Sequence, residues 1–124
     1  MNDLMSPLAA AVYDILRVRT TLPDARITYA ELAEALRDTA DEFEYVHHRN
    51  RELYAALAEV GKECRRLKRP PLPALVVRAD TRRPGAAYYA GKCSGTVYRG
   101  DQIAAWRHDL EAVRRATYPA RKRR

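Results

Sequence analysis

The sequence predicts a single α+β domain: three helices, a two-stranded hairpin and an added C-terminal helix. Three observations carry that expectation. Thr28 and Glu31 form a reciprocal capping pattern that opens a short apolar helix. Arg51–Lys68 repeats apolar residues at three- and four-residue steps and carries cations on its other faces. Beyond Pro70-Pro71, two short apolar runs flank Arg83-Pro84-Gly85-Ala86, whose proline and glycine sit where a type II turn wants them.

The first helix opens at Ser6, a good cap, with Pro7 at the first helical position. Leu8, Ala11, Val12, Ile15 and Leu16 then share one face, and Thr20–Asp24, with Pro23, closes it. In the second helix, Ile27 precedes the cap and is placed to staple onto Leu32, while Leu32, Ala33 and Leu36 face inward. Asp38–His48 is acidic. Thr39 with Glu42 can cap a further short helix that uses Phe43 and Val46, or one long helix can run from about Asp41. Asn50 would then face the core, which argues for a break. In Arg51–Lys68 the buried stripe is Leu53, Leu57, Val60, Cys64 and Leu67.

Two prolines stop that helix. Leu72–Arg78 is expected as a strand centred on Leu75, Val76 and Val77, and Ala86–Ala90 as its return, with Tyr88 and Tyr89 on opposite faces. Gly91–Gly100 is a loop. Asp101 caps the last helix, which places Ile103, Trp106, Leu110 and Val113 on one face and stops at Pro119. The domain is expected over 1–118, followed by a disordered basic tail over 119–124. The order helix, helix, helix, strand, turn, strand is that of a winged helix-turn-helix: a third helix for the major groove and a hairpin wing for the backbone.

The 124 residues suit one domain, and 47% apolar content supports a core. No apolar run approaches the roughly 18 residues of a membrane span, no secretion signal is visible, and two cysteines do not make a disulfide scaffold. A cytoplasmic location is the simplest expectation. The net charge of +7 hides a division. Residues 1–48 carry 4 basic against 9 acidic side chains, and residues 49–124 carry 19 against 7. So basic a second part points to a polyanion. The candidate contacts are Arg49 and Arg51 at the third helix start, Arg65, Arg66, Lys68 and Arg69 at its end, Arg82 and Arg83 near the wing tip, and Lys92 beyond it. The tail adds Arg121, Lys122, Arg123 and Arg124.

Ile27-Thr28-Tyr29-Ala30-Glu31-Leu32-Ala33 resembles the opening of the DNA-binding half of alkylguanine-DNA alkyltransferases and alkyltransferase-like proteins. Arg51, Leu53, Ala56 and Leu57 resemble that family's recognition-helix stretch in spacing. Pro71-Leu72-Pro73 resembles the lead into its active site, and Pro84-Gly85 with Tyr88-Tyr89-Ala90-Gly91 its glycine–tyrosine hairpin. The resemblance spans about residues 26–91. It implies a DNA-binding winged helix that holds the minor groove, with Tyr29 against the backbone and Arg51 in place of a flipped base. The family's Pro-Cys-His-Arg motif is missing: its cysteine position falls at Arg78, and Asp38–Arg49 reads as an insertion. Alkyl transfer needs a thiolate activated by a nearby base. Cys64 lies on an apolar helix face and Cys93 has no neighbouring His, so that reaction is not expected.

His47, His48, Cys64, Cys93 and His108 lack zinc-ligand spacing, and Asp41, Glu42 and Glu44 read as a solvated acidic face. Ser6 and Ser94 are the only serines, and no Ser/His/Asp arrangement is visible. The expectation is therefore a non-enzymatic protein that binds double-stranded DNA, without cofactor, metal, membrane or small-molecule substrate. A transcriptional regulator or a phage or mobile-element accessory factor would fit. The competing expectation is a protein-interaction or dimerisation module whose basic half confers solubility. A homodimer, RNA in place of DNA, and the groove used remain open at this level.

Overall fold

The computed structural model describes residues 5–120. Helix α1 spans Pro7–Arg19, and Ser6 caps it, its Oγ accepting from the Ala9 N–H at 3.2 Å. The Ser6 amide and hydroxyl also donate to the Glu59 carboxylate at 2.8 and 3.0 Å, which fastens the start of α1 to the third helix. Leu8, Val12 and Leu16 enter the core as expected. Ala11 and Ile15 do not: they are only half-buried, because a helix lying on the core buries one stripe and these two begin the next.

Strand β1 is two residues, Ile27–Thr28, and helix α2 follows directly over Tyr29–Thr39. The capping box forms: the Glu31 N–H donates to Thr28 Oγ1 at 3.0 Å, and the Thr28 N–H to the Glu31 carboxylate at 2.9 Å. Asp41–Phe43 is a single 3-10 turn. Thr39 does not cap it, since its hydroxyl donates back to the Ala35 carbonyl at 2.8 Å. Phe43 and Val46 are nevertheless buried. The chain breaks at Asn50, whose extended backbone opens α3, Arg51–Arg66, and whose side-chain amide donates to the Tyr45 carbonyl. One long helix from Asp41 is thereby excluded.

α3 stops two residues short of its expected end. The Lys68 N–H donates to the Arg65 carbonyl and the Arg69 N–H to that of Cys64, a Schellman closure with Lys68 at φ 59° where glycine is usual. A second 3-10 turn, Leu72–Leu75, then leads into strand β2, Val76–Val77. β2 pairs with β1 in parallel, Ile27 opposite Val76 and Thr28 opposite Val77.

The expected hairpin wing is absent. Gly85 has φ −76° and ψ 173°, so the positive φ that a type II turn requires at this position is missing. The chain reverses earlier, at Arg82 with φ 58°, in a loop closed by Arg82 N–H to the Arg78 carbonyl (2.9 Å) and Arg78 N–H to the Arg83 carbonyl (2.8 Å). Ala86–Tyr89 is then a short helix, α4, not a returning strand. Two alanines favour a helical turn, and with its last two residues committed to β1, β2 draws its partner from the N-terminal half. The α+β class holds, with helix-rich content and a two-stranded parallel sheet.

Helix α5, Gln102–Arg115, is capped by Asp101 and ends before Pro119 is reached. Trp106 pins it, its Nε1–H donating to the buried Ala74 carbonyl at 2.8 Å. Tyr88 and Tyr98 both donate to Asp109 Oδ2, which clamps the 91–100 loop onto α5. Beyond α5 the chain stays bonded. Tyr118 donates to the Pro70 carbonyl at 2.6 Å, and Pro119 accepts from Tyr13 at 2.7 Å. The expected tail therefore does not begin at Pro119; Arg121–Arg124 lie outside the described residues.

One core joins these elements. Val12, Tyr13 and Leu16 of α1 meet Leu32 and Leu36 of α2, Leu53, Leu57 and Val60 of α3, and Leu72 and Leu75. α1 packs most extensively on α3. On its other side α3 comes so close to the 91–100 loop that a Cβ at Gly61 would stand 1.6 Å from the Cys93 carbonyl oxygen.

Candidate nucleic-acid interface

Parallel strands release their following residues on the same side, the usual place for a ligand site at an open sheet. Here the register sets Thr28 opposite Val77, so the next residues, Tyr29 and Arg78, emerge side by side. They form part of a cleft of about 570 Å³. His48 and Arg49, from the segment entering α3, and Tyr54, one turn into it, form another part. Asp80 and Gly85–Ala87 line it as well.

Its walls carry two tyrosines, Arg49 and Arg78, and the Asp80 carboxylate. The rings of Tyr29 and Tyr54 lie 5.6 Å apart at 45°. The Tyr29 hydroxyl accepts from the Gly85 N–H at 3.3 Å. Burial pushes its pKa up to about 12, against the opposing pull of that N–H. It is a neutral phenol at physiological pH. Arg78 grips Asp80 through two bonds of 3.1 and 2.9 Å, and the guanidinium holds that carboxyl below its ordinary range. Both partners are exposed, so the pair adds little stability. Arg49 and Arg51 are exposed at the opening of α3. Arg82 reaches Asp24 at 3.6 Å from the compact 78–83 loop.

The remaining sequence-derived candidates fall elsewhere. Arg65, Arg66, Lys68 and Arg69 stand at the far end of α3, about 24 Å from its start at 1.5 Å per residue. Arg66 is bidentate to Glu63, and Arg69 donates to the Thr117 carbonyl at 2.8 Å. Arg65 lies against Gly95. Arg69 ties the end of α3 to the segment after α5, Arg66 is held within α3, and none of the four lines the cleft. Lys92 is exposed just after α4. Arg82 and Arg83 are in a loop, not at a hairpin tip, because the hairpin does not form.

Sequence reasoning missed Tyr54 and His48 as site residues, and treated Arg78 only as the place of a missing cysteine. The parallel register locates Arg78 and the entry into α3 locates His48 and Tyr54, and neither is reported by a local pattern. Neither cysteine lines the cleft. Burial raises both thiols to about 11, so both are protonated at neutral pH, and Cys64 Sγ accepts from the Leu72 N–H at 3.5 Å. Among the described residues no three His, Cys, Asp or Glu side chains converge as a metal site, and no helix is long and apolar enough to cross a membrane. No protein-family model, curated protein or solved structure matches this chain.

Proposed function

We propose that this protein binds DNA without catalysis, through the face around the Tyr29–Arg78 cleft. The observation that carries the reading is the meeting of Arg49 and Arg78 beside two tyrosine rings, from segments remote in sequence. Arg51 extends the patch along α3, and the 78–83 loop brings Arg82 and Arg83. Guanidinium groups suit phosphate oxygens in geometry and charge, and each phosphate they neutralise releases counterions. The aromatic pair offers an apolar surface to sugars or bases between those phosphates. The resemblance to alkyltransferase-like proteins implies DNA contact at Tyr29 and Arg51, which agrees with this face. The hairpin wing of that family does not form here, and in this reading the 78–83 loop takes the wing's role.

Fluorescence anisotropy with a random duplex at rising salt tests the reading. Binding with a steep salt slope is expected. Arg49→Ala and Arg78→Ala should each flatten the slope by about 0.9 for every phosphate that the variant no longer neutralises. Arg65→Ala with Arg66→Ala, at the far end of α3, should leave it close to the wild-type value. Absence of binding at low salt, or weakening confined to the far-end variant, would remove the proposal.

A further inference from the structure

α1 carries a second apolar stripe that the core covers only in part: Ala11 and Ile15 are half-buried against it, and Val18 and Leu22 are exposed. Ala11, Ile15, Val18 and Leu22 follow at steps of four, three and four, the spacing of one helix face. The stripe runs past the helix end because Leu22 continues in a hydrogen-bonded turn, its N–H donating to the Arg19 carbonyl at 3.0 Å. Val18 is 57% and Leu22 41% exposed. Across from them, Ala40, which precedes the 3-10 turn, and Phe43 within it form a second wall. The two walls enclose an open groove of about 810 Å³ that reaches from Pro7 to Leu22. Its rim is acidic. Asp14 and Glu42 line it, and Asp38 near the end of α2 and Asp41 and Glu44 in and after the 3-10 turn are exposed in the same stretch of chain. Arg19, also on the groove, donates to the backbone carbonyls of Ala25 and Arg26.

We propose that this groove docks a cationic amphipathic helix from a partner protein. Its aliphatic face would cover Ile15, Val18 and Leu22, and its Lys or Arg side chains would meet the carboxylates of the rim. The helix-in-groove mode fits the length: Pro7 to Leu22 spans about 24 Å, roughly four turns of a partner helix. Charge decides among occupants. DNA and anionic lipid surfaces are repelled by the rim. A second copy docking groove to groove about a two-fold axis would set this acidic rim against itself. A helix with an apolar stripe and cationic flanks satisfies both floor and rim. The proposal is independent of the DNA reading, since the groove shares no lining residue with the cleft.

The test uses the whole chain and a labelled synthetic helix of about 16 residues, with leucines at i, i+4, i+7 and i+11 and lysines on both flanks. Two controls replace lysine by glutamate or scramble the order. Anisotropy should show saturable binding of the lysine peptide, weakened about tenfold or more for either control. Val18→Asp should weaken it by a similar factor while circular dichroism stays unchanged, because that side chain is exposed. Glu42→Lys gives a second, rim-side variant with the same expectation. Amide shifts on binding should cluster at Ala11, Ile15, Val18 and Phe43. No binding, equal binding of the scrambled peptide, or shifts centred on Tyr29 would overturn the proposal. So would a self-association in sedimentation that Val18→Asp abolishes, since a second copy would then be the occupant.

Discussion

The cleft beside Tyr29 and the groove along α1 are both concave, yet they are built in opposite ways. The cleft draws on residues 28–30, 48–54, 78–80 and 85–87, brought together by strand pairing and the α3 entry. The groove draws on 7–22 and 39–43, one helix and one turn. The cleft carries Arg49 and Arg78 beside one carboxylate, Asp80, and the groove carries Asp14 and Glu42 beside one cation, Arg19. A chain of net charge +7 thus presents two surfaces of opposite sign, because its acidic side chains are concentrated in the first 48 residues. Average charge says little about what a given face will bind, and the local sign decides it.

Both surfaces rest on the same core, so the largest effect should come from breaking that core. Leu57 is 2% exposed among Val12, Leu16 and Leu72. Leu57→Ala should cost about 2–5 kcal/mol in chemical denaturation, from reduced burial and the cavity left behind. Peptide and duplex binding should then fail together as the folded population falls. Failure of one with the other intact would mean that the two regions fold separately.

A smaller effect should sharpen the contrast. Val18→Asp, in the groove, is expected to leave the duplex salt slope unchanged, and Arg78→Ala, in the cleft, to leave peptide affinity within about twofold, since charges more than about 10 Å apart are screened at 0.1 M salt. Titrating each variant against both ligands checks this. Cross-effects of equal size in both directions would show one shared surface.

The smallest effect concerns Asp24, which stands between the regions. It bonds Arg26 at 3.0 and 3.1 Å and faces Arg82 at 3.6 Å, linking the segment before β1 to the 78–83 loop. Those hydrogen bonds lower its carboxyl from 3.8 to about 2. A depressed folded value means that the contribution is fully present above about pH 4 and is lost as pH falls towards 2. The side chain is 54% exposed, so Asp24→Asn should cost under about 1 kcal/mol at pH 7. The difference from wild type should vanish near pH 2 in thermal melts. A difference that persists there would assign the effect to something other than charge.

Elements whose signals are local were legible in the chain. The Ser6 and Asp101 caps, the Thr28–Glu31 box, the break at Asn50 and the Leu53–Leu57–Val60–Cys64 stripe all form. Each depends on side chains within a few residues of one another, where sequence spacing is spatial spacing. At the proposed binding face, Tyr29, Arg49 and Arg51 were identifiable from motif and charge, whereas Tyr54 and Arg78 were not. On α1 the sequence put Ala11 and Ile15 on the core face and did not single out Val18 or Leu22, because which of two adjoining stripes is buried depended on how the helix rolled against α3.

The sequence by itself thus determined the four long helices, the caps of three of them and most of the core, because those follow from hydrogen bonds and periodicities inside single segments. Only the tertiary structure decided that β2 pairs with β1, that Ala86–Tyr89 closes as a helix, and that Tyr29 and Arg78 stand together. A two-residue strand is too short to carry a period, and its partner lies about fifty residues away. That choice is made by the packing of the whole core around Ile27 and Val76, and it carries the cleft with it.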